Sequence, residues 1–157
     1  MKSMQMLQKE INLVEKMIKK DVAIETTIKN LYEHIFKSNG KKIRARLNLI
    51  SSSFNRNKKN RIKLAAIIEL LHTATLVHDD VVDDSSIRRG NRSVNSVWSN
   101  AHGVLIGDYI YSKAFIYMVD IGNQQILQEL SNATNDISQG ELIQLDAINN
   151  KEITLNK

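Results

Sequence analysis

The chain contains no cysteine and no proline, and only 6 of its 157 residues are glycine. Without cysteine there is no disulfide, no thiolate nucleophile and no thiolate metal site, so any bound metal must be held by oxygen or imidazole. Without proline, and with glycine sparse, long helices meet few interruptions. No apolar run reaches the roughly 18 residues that a membrane-spanning helix needs, so no transmembrane segment is expected. The opening Met1-Lys2-Ser3-Met4-Gln5 leads straight into a charged amphipathic pattern, with neither the apolar core nor the cleavage site of a secretory leader. A cytoplasmic location is therefore the expectation. Internal repeats and useful lengths of strand-like alternation are also missing.

What is present suits one soluble helical domain spanning 1–157, long enough to bury roughly two-thirds of its unfolded surface. Hydrophobic residues make up 42% and charged residues 25%, and the formal charge is +5. That charge is compatible with nucleic acid, an anionic membrane surface or phosphorylated substrates, and equally with a Lys-, Asn- and Ile-rich composition of no specific meaning. Apolar positions at Met6, Leu7, Ile11, Val14, Met17 and Ile18 have helical spacing, giving a helix over 5–20. Further helices are expected over 22–36, 41–54, 61–83, 94–100, 102–119 and 124–147. Between them lie breaks at Ser38-Asn39-Gly40, a polar connection over 55–60 and a polar, basic loop over 84–91. The tail over 148–157 has no periodicity. The middle of the fourth helix, Leu64-Ala65-Ala66-Ile67-Ile68-Glu69-Leu70-Leu71, is apolar nearly all round, as in a helix buried within a bundle. The fold class is all-α.

The stretch from His72 to Asp84 carries the chemistry. On a helix Asp79 and Asp83 share a face, Asp80 lies one step round, and His72 and Thr75 fall on the same stripe as Asp79. Clustered carboxylates in a bundle interior repel, and a divalent cation resolves the repulsion. Mg²⁺ fits, because it takes one or two carboxylates together with substrate phosphates and water. The following Arg88-Arg89-Gly90-Asn91-Arg92 sets planar guanidinium donors beside the acids, and acids, metal and arginines together suit a diphosphate. A solvated helix end with Asp83-Asp84 pairing Arg88-Arg89 is the plain alternative. A metal-hydrolase His78-Asp79 pair would need further ligands, and His34, His72 and His102 form no obvious set with it. Upstream, Gly40-Lys41-Lys42-Ile43-Arg44 places basic residues at a helix start, with Lys41 and Arg44 three apart; this is a second anion pocket or a solvated basic turn.

These segments together resemble the trans-isoprenyl (polyprenyl) diphosphate synthases. Asp79-Asp80-Val81-Val82-Asp83 matches the first DDxxD motif, Arg88-Arg89-Gly90 matches the RRG that follows it, and Gly40-Lys41-Lys42-Ile43-Arg44 matches GKxxR, with Ala45 where the family has proline. Leu71–His78, Leu105–Tyr109 and Gly140–Leu145 are similar too, and the wording resembles bacterial octaprenyl-type enzymes. The resemblance implies the N-terminal half of an isoprenoid-synthase-type helical bundle. It also implies a transferase that adds isopentenyl diphosphate to an allylic diphosphate such as farnesyl diphosphate, building a long all-trans chain of the kind used in quinone side chains. Asp79, Asp80 and Asp83 would be catalytic, with Asp79 and Asp83 the Mg²⁺ ligands. Arg88 would contact the allylic diphosphate, and Lys41, Arg44, His72 and Arg89 the diphosphate of isopentenyl diphosphate. The small Ala74 and Thr75 upstream of the aspartates would leave room for a long product.

The family is about twice this length, and nothing after Asp84 offers a second DDxxD; Asp108 and Glu141 are expected to be structural or supporting. The expectation is a chain that acts as a homo-oligomer or with a complementing C-terminal half, or else a non-catalytic helical subunit or decayed fragment that binds a partner synthase. Nucleic acid is not expected as a partner.

Overall fold

The structure, a computed structural model, describes residues 2–20, 22–37, 40–54 and 57–149. It is all-α: helices α1 (Lys2–Lys19), α2 (Thr26–Phe36), α3 (Ile43–Ser51), α4 (Lys58–Val82), α5 (Val94–Val97), α6 (Asn100–Ile121) and α7 (Gln124–Asn149), with two-residue strands β1 (Ile87–Arg88) and β2 (Asn91–Arg92). Two compact units divide the chain, Met1–Ile121 and Gly122–Lys157.

Side-chain caps set several helix starts. Glu25 accepts from the Ile28 N–H, Asn57 from that of Asn60, Ser99 from that of His102 and Asn123 from that of Ile126. These caps move two expected boundaries: α2 begins at Thr26 rather than at 22, and α4 begins at Lys58 rather than at 61. The third helix is shorter than expected, so Lys41 lies outside it and does not share a helical face with Arg44. The expected loop over 84–91 contains a tight antiparallel hairpin, Ile87 opposite Arg92 and Arg88 opposite Asn91. Its two linking residues, Arg89 (φ 52°) and Gly90 (φ 78°), both have positive φ, as a type I′ turn requires. Ser38, Asn39 and the tail from Asn150 onward lie outside the described residues.

Helix α4 is the axis of the first unit and packs against α1, α3, α5 and α6. Ile62, Ala65, Ala66, Ile67, Leu70, Ala74 and Val77 are its buried apolar residues. Its contact with α6 is very close. A Cβ added at Gly103 would stand 2.6 Å from Val81 Cγ2, and one at Gly107 would stand 2.2 Å from His78 Nε2. The C-terminal carbonyls of α1, which lack helical partners, are taken by side chains from elsewhere. Tyr117 Oη donates to Met17 O (2.9 Å), Tyr32 Oη donates to Ile18 O (2.7 Å), and Lys113 Nζ donates to Lys20 O. At another point Arg61 joins three helices, pairing with Glu10 of α1 at 3.2 Å and donating to Leu49 O of α3 at 2.9 Å. This tied bundle fixes the C-terminal end of α4 against the hairpin and the start of α3.

Candidate active site

Asp79 and Asp80 lie in the last turn of α4, and Asp83 is its C-cap, with the Asp83 N–H donating to Asp79 O at 2.8 Å. Helical geometry therefore continues to Asp83 and puts the carboxylates of Asp79 and Asp83 one turn apart on one face. The last turn holds no basic residue. Carboxylates collected at the negative end of a 25-residue helix attract a cation. Two carboxylates one turn apart are the kind of oxygen donors that Mg²⁺ takes together with phosphate and water, so Asp79 and Asp83 would hold such an ion. Among the described residues no three His, Cys, Asp or Glu converge into a ready-made metal cage.

Asp80 has a different place. It is 4% exposed, and its Oδ1 accepts from Arg88 Nε at 2.7 Å. The Asn95 amide donates to Asp80 O (3.0 Å) and Ser85 O (3.1 Å), pinning the hairpin to the end of α4. One of the five N–H donors of Arg88 is thus spent on fixing its guanidinium.

The adjacent arginines are sent different ways by the I′ turn. Arg88 goes to Asp80, while Arg89 lies against the backbone of Gly40, where an added Cβ would meet its Nη1 at 2.3 Å. A pocket lined by Gly40, Lys41, Lys42, Ile43, Arg44, Glu69, His72 and Arg89 results. All four residues expected to hold the second diphosphate, Lys41, Arg44, His72 and Arg89, are in it. Arg44 Nη1 donates to His72 Nε2 at 3.0 Å, which requires the neutral imidazole. Burial, and after it the charge of Arg44, push the His72 pKa down, in agreement with that role. Arg46 holds the loop from behind, donating through Nε to Lys41 O at 2.9 Å.

Four residues around the site were given no role from the sequence. Glu69, buried on α4, accepts from the Ala45 N–H (3.1 Å) and lies 3.9 Å from Lys42 Nζ, so it caps α3 from outside. It was legible only as a lone acid in an apolar run, which has to be paired when buried. Lys42, at φ 52°, turns the chain into α3. Tyr111 stacks on His78 (5.8 Å), and Phe115 stacks on Tyr111 (6.3 Å). Burial and then the charge of Asp79 raise the Tyr111 pKa. His78 itself faces α6, with Nε2 donating to Val104 O at 3.1 Å and 3.5 Å from Asp108. His34 donates to Arg92 O (2.7 Å), and His102 bonds Ser99 Oγ (2.8 Å). The histidines thus serve separate places, which counts against a hydrolase-type metal set.

Comparisons with known proteins identify the family. The family description that matches is polyprenyl synthetase, over residues 25–157. An all-trans-nonaprenyl-diphosphate synthase of Rhodobacter capsulatus is 41% identical over 129 residues, covering 81% of this chain and 40% of that protein. The octaprenyl diphosphate synthase of Escherichia coli (strain K12) is 41% identical over 128 residues, covering 81% and 40%. Among solved structures, a Caulobacter crescentus polyprenyl synthase complexed with calcium and isoprenyl diphosphate superposes with a TM-score of 0.89 at 31% identity, covering 96% of this chain and 47% of that one. The chain spans about two-fifths of the length of those curated relatives. Over that span the fold and the overall sequence agree, and the chain belongs to the polyprenyl synthetase family.

Proposed function

We propose that this chain supplies the diphosphate-binding half of a prenyl transfer site. In this reading an allylic diphosphate such as farnesyl diphosphate binds at Asp79 and Asp83, with Arg88 as a further donor, and isopentenyl diphosphate binds at Lys41, Arg44, His72 and Arg89. The observation that carries it is the gathering of those four residues into one pocket, while Asp80, one step from Asp79, accepts the arginine next to Arg89. Mg²⁺ at Asp79 and Asp83 would neutralise charge on the departing diphosphate. The allylic C–O bond breaks and the diphosphate leaves with the bonding electrons. The double bond of isopentenyl diphosphate attacks the cation, and a proton is lost. Arg88, anchored by Asp80, is pre-oriented toward the leaving group, which is how fixed donors stabilise charge as it develops. Neutral His72 accepts from Arg44 and orients it. The buried Ala74 and the small Thr75, just upstream, support a long all-trans product. A homo-oligomer or a complementing C-terminal half would complete the site.

The test is incorporation of labelled isopentenyl diphosphate with farnesyl diphosphate and Mg²⁺, by the chain alone and by the chain mixed with extract from its source. Incorporation that depends on added chain and is abolished by Asp79→Ala supports the reading. No dependence on the chain in either mixture, with no binding of inorganic diphosphate, rejects it in favour of a non-catalytic helical subunit.

A further inference from the structure

We propose that the groove between α1 and the start of α4 docks the chain onto an anionic phospholipid surface. Leu13 and Met17 of α1 and Ile62 of α4 form its floor, and Lys16, Lys58 and Lys59 form its rim. Lys20 also lines it, with its backbone carbonyl held by Lys113. Among the described residues no acid lines the groove. Lysine stems lying along an apolar floor with ammonium groups at the edge are the arrangement that settles at a lipid interface, chains against acyl carbon and charges against headgroup phosphate. Phe54, in the short connection that precedes α4, is 85% exposed and adds an aromatic anchor at the same end of that helix.

Helix stability does not explain the lysines. Lys58 and Lys59 stand in the first turn of α4, where the helix field disfavours cations, and the first turn contains no acid. Nucleic acid is the weaker occupant, because phosphates would reward the lysines but leave Leu13 and Phe54 in water. Lys58 and Lys59 also lie about 30 Å along α4 from Asp79, at roughly 1.5 Å per residue. Variants of the groove therefore leave the candidate active site untouched, and the success or failure of the proposal is separate from that of the prenyl transfer reading.

The test is flotation of the 157-residue chain with vesicles of phosphatidylcholine carrying about a third phosphatidylglycerol, the anionic content that attracts basic surfaces. Helical content of every variant is checked by circular dichroism. The chain is expected to float with these vesicles and not with pure phosphatidylcholine. Lys58→Glu/Lys59→Glu lowers recovery by about tenfold or more, and Leu13→Gln lowers it at unchanged charge. Lys29→Glu/Lys37→Glu, on the surface of α2 and its end, lowers it far less. Equal loss in the two charge-reversal sets would reduce the effect to net charge and overturn the proposal. So would absence of flotation, full recovery of the groove variants, or displacement of the chain from vesicles by duplex DNA at equal phosphate.

Discussion

Glu69 lies between α3 and α4, where its carboxylate takes the Ala45 N–H and faces Lys42. A proline at position 45 would have no N–H to give, so this cap depends on the residue there being one other than proline. Glu69→Leu leaves a buried donor unsatisfied at the start of α3. Chemical denaturation should show a loss of about 1–3 kcal/mol, and Glu69→Gln, which keeps an acceptor, should recover most of it. Weaker binding of inorganic diphosphate should follow in Glu69→Leu, because the loop it holds presents Lys41 and Arg44. The neighbouring His72 gives a pH signature. Its folded pKa is depressed below the ordinary value of 6.5, by burial first and then by Arg44. Its contribution to stability is therefore full above that value and is lost as pH falls through the folded pKa. Histidine NMR should find His72 titrating below 6.5 in the free chain and shifting upward when inorganic diphosphate is added. An unmoved titration would mean that the anion does not reach this pocket.

At the scale of elements, the meeting of α4 with α6 depends on two glycines one turn apart. A methyl group at Gly107 would collide with the His78 ring and one at Gly103 with Val81. Each side chain is held by packing, so Gly103→Ala and Gly107→Ala should each cost about 1–3 kcal/mol through forced separation of the helices. Gly140, inside α7, has no described atom within 4 Å of an added Cβ. Gly140→Ala should instead stabilise by up to about 1 kcal/mol through helix propensity. Thermal melts of the three variants check both signs. The same pair of helices shows what the sequence could and could not tell. Periodicity placed α4 and α6, and the aspartates, arginines and Gly-Lys segment marked the candidate site. Burial of Asp80 under Arg88 was not readable, because a DDxxD pattern does not say which acid turns inward. The hairpin was hidden because two-residue strands leave no alternation to detect, and its turn uses Arg89 where Asn or Gly would signal it. Asn57 was a cap signal in plain view, and attention to it would have placed the start of α4, whereas Glu25 is not among the residues that usually cap a helix and left the start of α2 unmarked.

Over the whole molecule, stability is unevenly distributed. The first unit concentrates its buried residues along α4, where Ala65, Ala66, Ile67, Leu70 and Ala74 are fully enclosed. In the second unit α7 keeps large apolar side chains in solvent, Leu142 at 64% and Ile143 at 59% exposure among them. Its residues 124–146 include no buried position. No described helix is long and apolar enough to cross a membrane, so this exposed surface does not reflect a spanning segment. A helix whose hydrogen bonds face water opens locally at little cost, whereas one enclosed on all sides opens only with its unit. Hydrogen exchange at low concentration should therefore find the amides over 126–146 exchanging about a hundredfold or more faster than those over 65–77. Equal protection in the two helices would mean that the apolar face of α7 is covered in solution. Repeating the experiment across a dilution series then identifies the cover. Protection that falls on dilution assigns it to another copy of the chain, and protection independent of concentration assigns it to packing within one copy.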